Sequence, residues 1–196
     1  VTVRSMTAAY ASFANEGVWR EARTYTVVKD ANGQIILDNT QDSHVAMKDM
    51  TAWYITDMLK STVEKGTGTA AQLENTTVAG KTGTTSRDFD RWFAGYTPYY
   101  TGVVWCGYDT PEEVVLTDSS TNPAIVLWQK VMAGVHKGLK AADFKKPANV
   151  VECSVCYDSG LLAPDACRSD PRGDRTVRVQ LSLYDVPTES CTTHKE

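Results

Sequence analysis

The sequence has no apolar run approaching the roughly 20 consecutive residues that cross a bilayer as a helix, and no charge of one sign dominates it. Its 20 Lys and Arg stand against 24 Asp and Glu, for a formal net charge of −4. That balance gives no electrostatic reason to expect nucleic acid or an anionic membrane surface as a partner. Internal repeats and low-complexity tracts are missing too. So are an initiating methionine and the basic-then-apolar layout of a signal peptide, since the chain opens Val1-Thr2-Val3-Arg4-Ser5-Met6. We read it as a stretch from within a longer protein. Histidine is scarce. His44, His136 and His194 are scattered; they assemble no triad, and a solvated or structural role is expected of each.

What is present is an ordinary globular composition, 42% apolar and 22% charged over 196 residues. That suffices for one full core, or a core with a small appendage. Met6, Ala9, Tyr10 and Phe13 recur at helical spacing, so Val3 to Glu16 is predicted helical, stopped by Gly17. Asn32-Gly33 between Tyr25–Lys29 and Gln34–Leu37 predicts a hairpin with a loop longer than two residues. A second helix is expected over Met47–Lys65, with one or two helical turns over Ala70–Leu73. Past Asn75 the pattern changes to short strand-like runs at 77–85, 91–96, 101–108 and 114–116, broken by Gly, Pro and Asp. Ala124 to Leu139 returns to helix, after Asn122-Pro123. The order predicts an α+β fold, an antiparallel sheet flanked by helices. After Lys145-Lys146-Pro147 the chain turns Cys-, Asp- and turn-rich, and we place a boundary there: one domain over 1–146, a small Cys-rich appendage over 147–196.

Four of the five cysteines, Cys153, Cys156, Cys167 and Cys191, lie in that appendage. The clustering implies disulfides in an oxidising compartment or a metal site. Cys106, in the run Val103-Val104-Trp105-Cys106, is expected to be a free, buried thiol.

Chemistry concentrates in Ala79-Gly80-Lys81-Thr82-Gly83-Thr84-Thr85, followed by Asp90-Arg91-Trp92-Phe93-Ala94-Gly95-Tyr96-Thr97-Pro98. A lysine beside small hydroxyl residues and a glycine supplies a cation, donors and an unobstructed backbone. On an exposed strand this set suits an extended ligand ending in a carboxylate, paired to the strand edge through its main chain. Gly83 lets a ligand backbone approach, and a following N–H can donate to a developing oxyanion. Gly80-Lys81-Thr82 also ends like a phosphate-binding G-x-x-x-x-G-K-[ST] loop. The first glycine of that motif falls on Asn75, however, and strands rather than a helix follow.

The whole run resembles the penicillin-binding transpeptidases, in particular the bifunctional class A enzymes of bacterial cell-wall synthesis. Lys81 to Thr85 and then Asp90 to Pro98 occur in the family's order, as do Met6 to Gly17, Lys65 to Ala71 and Val104 to Asp109. The resemblance implies a fold like that of penicillin-binding transpeptidases and serine β-lactamases, here incomplete. It implies acyl transfer from a stem peptide ending in D-Ala-D-Ala, inhibition by β-lactams, and no cofactor. Lys81 would bring positive charge to the cleft, Thr82 and Thr84 would bind the substrate carboxylate, and the Thr84 N–H would form half of an oxyanion hole. Gly83 would keep the strand clear, with Thr85 completing the binding set. Asp88 and Asp90 are expected in turn and packing roles.

The family's nucleophile sits in a Ser-x-x-Lys motif, with a Ser-x-Asn motif after it. No serine here is followed by lysine three positions on. Ser120-Thr121-Asn122 spells Ser-x-Asn, but on the wrong side of Lys81, and we read it as a loop and helix cap. Both catalytic motifs are then expected upstream, in the missing N-terminal part of the same domain, which would be this chain's partner. A membrane anchor would also lie there and hold the site at the extracytoplasmic face. The alternative is a non-catalytic sensor of β-lactams or wall peptides on the same fold. The appendage resembles the C-terminal extension of class A enzymes, which work where disulfides persist; disulfides are therefore the favoured expectation. Zinc on Cys153, Cys156, Cys167 and Cys191, with Cys191-x-x-His194 adding an imidazole, is the other.

Overall fold

The computed structural model describes residues 1–116 and 121–194. It contains two compact units, Val1–Lys145 and Lys146–Glu196.

The first unit begins with helix α1, Val3–Ala14, whose N-terminus is closed by a reciprocal capping box between Thr2 and Ser5. Strands β1 (Val18–Arg20) and β4 (Ser43–Val45) pair antiparallel, and between them β2 (Val27–Lys29) and β3 (Ile35–Asp38) form the expected hairpin. The hairpin loop turns at Gly33, where φ is 83°, a left-handed value that glycine adopts at no steric cost. Helix α2, Asp49–Lys65, follows, then a short 3₁₀ turn at Thr69–Ala71.

Next come the three strands that carry the candidate site: β5 (Ala79–Thr84), β6 (Asp90–Tyr96) and β7 (Thr101–Gly107). They make one antiparallel sheet in the order β5-β6-β7, so β5 is an edge. Helix α3, Pro123–Val135, packs on one face of β6 and β7, and α1 packs against the same two strands. The register shows how the faces are shared. Phe93, opposite Thr82 and Val104, points toward α3, where its ring meets Trp128 edge-on with centroids 5.1 Å apart. Tyr96, on the alternate face, packs against Tyr10 and Phe13 of α1 and hydrogen-bonds Thr56 of α2 at 2.9 Å.

A row of glycines makes the α3 face possible. Gly80, Gly95 and Gly102 lie opposite one another across the three strands. A Cβ on Gly95 would sit 2.5 Å from the Phe93 ring and 2.9 Å from Trp128, and one on Gly102 would sit 2.6 Å from Met132. The missing side chains make a slot for the Trp128 indole, which is 1% exposed and donates to the Gly102 carbonyl at 3.0 Å. This is the use of strand glycine for close approach.

In the second unit, β8 (Val150–Cys156) and β9 (Thr176–Ser182) pair antiparallel over seven positions, with a four-residue helix α4, Asp165–Arg168, between them. The expected strand at 114–116 is absent. Val114 makes one main-chain bond there, to the Asp88 carbonyl at 3.0 Å, and acidic Glu112-Glu113 before it cannot continue an apolar alternation. The α+β assignment holds, with helices at 3–14, 49–65 and 123–135 close to their expected spans.

Candidate functional site

Strand β5 exposes its outer edge, and its register shows which groups point there. The Thr85 N–H donates inward to the Asp90 carbonyl at 3.2 Å. In an antiparallel ladder successive residues face opposite edges, so the N–H and C=O of Gly80, Thr82 and Thr84 point outward. Two independent contacts agree with that parity. The Thr62 hydroxyl at the end of α2 donates to the Gly80 carbonyl, and the Lys81 ammonium donates to the Thr82 carbonyl at 3.0 Å. Helix α2 thus covers the start of the edge, while Thr84, near its end, is exposed.

The side chains divide by the same alternation. Lys81 and Gly83 face the α1 side, opposite Ala94 and Trp92; Thr82 and Thr84 face the other, opposite Phe93 and Arg91. The Lys81 side chain bends over the edge, bringing Nζ within 3.3 Å of the Thr82 hydroxyl. That hydroxyl lies 3.1 Å from the hydroxyl of Thr67. An ammonium and two hydroxyls therefore sit together at the open strand edge. Among the described residues no carboxylate forms an ion pair with Lys81, so its charge is available to an anion. Thr67 carries no signal of its own in the 65–71 run; its adjacency to Thr82 is a property of the fold.

Beside this edge runs a groove of about 540 Å³, lined by Met6 and Tyr10 of α1, by Trp92 and Ala94 of β6, and by Lys81 to Thr85. Its walls are an aromatic and aliphatic side against a cationic, hydroxyl-bearing one, a layout suited to an amphipathic ligand. A Cβ on Gly83 would crowd Trp92 at 3.2 Å, so glycine here keeps both the ladder and the groove wall undistorted. The Tyr10 phenol in the wall is held protonated by burial, which pushes its pKa up.

Thr85 is committed differently from its neighbours. Its hydroxyl donates to one Asp90 carboxylate oxygen at 2.9 Å and accepts the Asp90 N–H at 2.9 Å. The other Asp90 oxygen accepts the Trp105 indole N–H at 2.7 Å. These bonds fix the β5–β6 turn, where Arg87 and Asp88 adopt φ of 62° and 57°, and Asp88 pairs with Arg91 at 3.2 Å. Turn and packing roles for both aspartates follow. Asn122 caps α3, accepting the Ala124 N–H at 2.9 Å and donating to the Trp92 carbonyl at 3.1 Å; Ser120 lies outside the described residues. His136 also works structurally, bridging the Met132 carbonyl at 2.7 Å and the Thr97 hydroxyl at 2.9 Å. His44 stacks near Trp19 on the β1–β4 pair, centroids 4.9 Å apart.

The cysteines require two corrections. All five are free thiols, where disulfides were the favoured expectation. Cys153 also stands apart from the other three, because in β8 it and Cys156 differ by an odd number of positions and face opposite sides. The fourth ligand is His194, which the zinc alternative included through Cys191-x-x-His194 and which is 8% exposed. Cys156, Cys167, Cys191 and His194 bring four ligand atoms to within 4.8 Å of one another, all buried.

The family model for the penicillin binding protein transpeptidase domain matches residues 1–126. Penicillin-binding protein 1A of Clostridium perfringens is 38% identical over 191 residues, 97% of this chain but 23% of the relative's length. PonA1 of Mycobacterium tuberculosis, solved in complex with penicillin V, superposes with a TM-score of 0.64 at 28% identity, over 74% of this chain and 41% of that one. The solved penicillin-binding protein 1A of Haemophilus influenzae shares the fold, with a TM-score of 0.77 at 19% identity, over 97% of this chain and 33% of that one. The chain thus spans less than a quarter of the length of its C. perfringens relative.

Proposed function

This chain belongs to the penicillin-binding protein transpeptidase family, and we propose that it forms the substrate-binding half of a peptidoglycan D,D-transpeptidase site. The observation that carries the reading is the open β5 edge, where the Lys81 ammonium, the Thr82 hydroxyl and outward main-chain groups flank one groove. A stem peptide ending in D-Ala-D-Ala adds to this edge as an extended strand. Its terminal carboxylate sits against Lys81, Thr82 and Thr84, and Gly83 leaves its backbone room.

In the reaction a serine hydroxyl attacks the penultimate D-Ala carbonyl, the terminal D-Ala leaves as its amine, and a second stem peptide's amine then displaces the serine. The outward Thr84 N–H is placed to donate to the carbonyl oxygen as it gains negative charge. Thr85, tied to Asp90, holds the strand end in position beside the groove it also lines. The serine comes from polypeptide outside this chain, since no Ser-x-x-Lys occurs here. β-Lactams, the ligand class of the PonA1 complex, occupy the same edge. Among the described residues no helix is long and apolar enough to cross a membrane; we place the anchor outside the chain and the site at the extracytoplasmic face. Residues 1–146 act as this part of the transpeptidase domain and 147–196 as an accessory extension.

Fluorescent penicillin tests the assignment. The 196-residue chain alone should give no adduct surviving denaturation, while the full-length protein should label and lose most of that labelling rate with Thr82→Val. A denaturation-resistant adduct on the chain alone would overturn the division of roles. Absence of Ser-x-x-Lys and Ser-x-Asn from the polypeptide ahead of Val1 would favour the sensor.

A further inference from the structure

We propose that Cys156, Cys167, Cys191 and His194 form a closed, structural Zn²⁺ site that organises the C-terminal unit. The four come from three separate segments: Cys156 from the end of β8, Cys167 from helix α4, and Cys191 and His194 from the stretch after β9. Their convergence is what a metal imposes on a chain that would otherwise have little reason to gather polar atoms in its interior.

The distances match a tetrahedron. His194 Nδ1 lies 3.5, 3.2 and 3.5 Å from the sulfurs of Cys156, Cys167 and Cys191. Zinc bonds of about 2.3 Å to sulfur and about 2.0–2.1 Å to nitrogen, at tetrahedral angles, put a sulfur and a nitrogen roughly 3.6 Å apart. One nitrogen nearly equidistant from three sulfurs is therefore the expected ligand shell. A disulfide, with sulfurs about 2.05 Å apart, would use two of the three thiols. The third thiol and the imidazole would then stay buried with no common purpose.

The surroundings support the same reading. His194 turns Nδ1 to the sulfurs and Nε2 to carboxylates, 3.0 Å from Asp158 and 3.3 Å from Asp170. A metal-bound imidazole commonly donates its other N–H to a carboxylate in this way, which fixes the tautomer. Both carboxylates are themselves held by arginine, Asp158 by Arg175 at 3.1 Å and Asp170 by Arg172 at 2.9 Å. The Thr193 N–H, within the Cys191-x-x-His194 turn, points at the Cys191 sulfur from 3.4 Å, as suits a thiolate. Three sulfurs and an imidazole favour zinc over calcium or magnesium. With four protein ligands and no vacant position the role is structural.

The sparse apolar interior of this unit gives the reason for the site. Among its described residues the buried aliphatics are Val150 and Val155, while the three sulfurs form the cluster that Leu161 and Ala163 pack against.

The test uses the full 196-residue chain, purified with a thiol reductant and without chelator. Zinc analysis should find one Zn²⁺ per chain, and Co²⁺ exchanged for it should show thiolate charge-transfer and tetrahedral d–d absorption. Cys167→Ser and His194→Ala should reduce metal content to background, and Cys153→Ser should leave it unchanged. Because the first two variants can misfold, a second measurement stands on the wild type. Cys156, Cys167 and Cys191 should resist alkylation until a strong chelator is added, whereas Cys153 should react without it. A disulfide among the three in metal-free protein, equal metal loss in Cys153→Ser, or alkylation indifferent to chelator would each overturn the proposal.

Discussion

The Trp105 indole donates to the Asp90 carboxylate at 2.7 Å, from a strand that does not adjoin β5. Because the other oxygen of Asp90 holds Thr85 at 2.9 Å, this one carboxylate ties the end of β5 to β7 across the intervening strand. Replacing Asp90 with alanine strands the Thr85 and Trp105 donors together. We expect a loss of about 1.5–3 kcal/mol, the range for hydrogen bonds to a charged group, read from urea denaturation of the chain. In the full-length protein the same change should slow β-lactam acylation, since the Lys81–Thr84 strand loses its fixed end. Unaltered stability would mean the turn is held by its backbone alone.

One glycine of the sheet row and one of helix α3 give opposite expectations for chemically identical changes. Gly95→Ala places a Cβ 2.5 Å from Phe93 and 2.9 Å from Trp128, both buried rings with no room to retreat. It should destabilise by about 1–3 kcal/mol, as overpacking does. Gly134→Ala, in α3 with nothing within 4 Å of its new Cβ, should instead stabilise by about 0.4–1 kcal/mol. Thermal unfolding of the two variants side by side checks the sign of each.

Much of the first unit was legible because its periods are clean. Met6, Tyr10 and Phe13 at helical spacing, and Asn32-Gly33 between β-prone runs, specify elements through local physics. The binding strand was legible through its neighbours, as Asp90 to Pro98 gave Lys81-Thr82-Gly83 its context. What escaped was either short or masked. Strands β1 and β4 have three residues each, too few for a period to register. Thr176-Val177-Arg178-Val179-Gln180-Leu181-Ser182 alternates cleanly, a strand signal set within a stretch otherwise rich in cysteine and turn residues. That Cys153 stays outside the cluster was hidden for another reason. Which of two nearby cysteines faces inward depends on strand parity, which cysteine spacing alone does not carry.

Asp143 ties the chain beyond α3 back to α2, and it carries a pH dependence. Partial burial works to raise its pKa, but the Phe144 N–H, the Thr77 hydroxyl and the Lys60 ammonium together outweigh it and lower the value. A carboxyl lowered in the folded state contributes stability above its unfolded pKa of about 3.9 and loses it as pH falls through the folded value. The Lys60–Asp143 pair, at 3.3 Å with the Asp143 side chain 61% exposed, is screened by solvent, so the effect is small. Asp143→Asn should therefore lower the denaturation midpoint slightly at pH 7. That gap should shrink below about pH 4. A gap that stays constant down to acid would assign the effect to packing rather than charge.

The outward direction of the Thr84 N–H separates catalysis from folding in one pair of proline variants. Proline is tolerated on an edge strand where its missing N–H would have faced away from the sheet. Since the Thr85 N–H points inward to Asp90 at 3.2 Å, Thr84 faces out and Gly83 faces in. Thr84→Pro should keep the β5–β6 ladder and a denaturation midpoint near that of the unaltered chain. In the full-length protein it should slow acylation by fluorescent penicillin about 10²–10³-fold, the cost of removing one oxyanion donor. Gly83→Pro should instead break a ladder bond and destabilise the chain by about 1–3 kcal/mol. Acylation at the normal rate in Thr84→Pro would remove that N–H from the mechanism. Equal destabilisation by both prolines would show that the edge of β5 is covered, and with it the surface on which a substrate strand would have to pair.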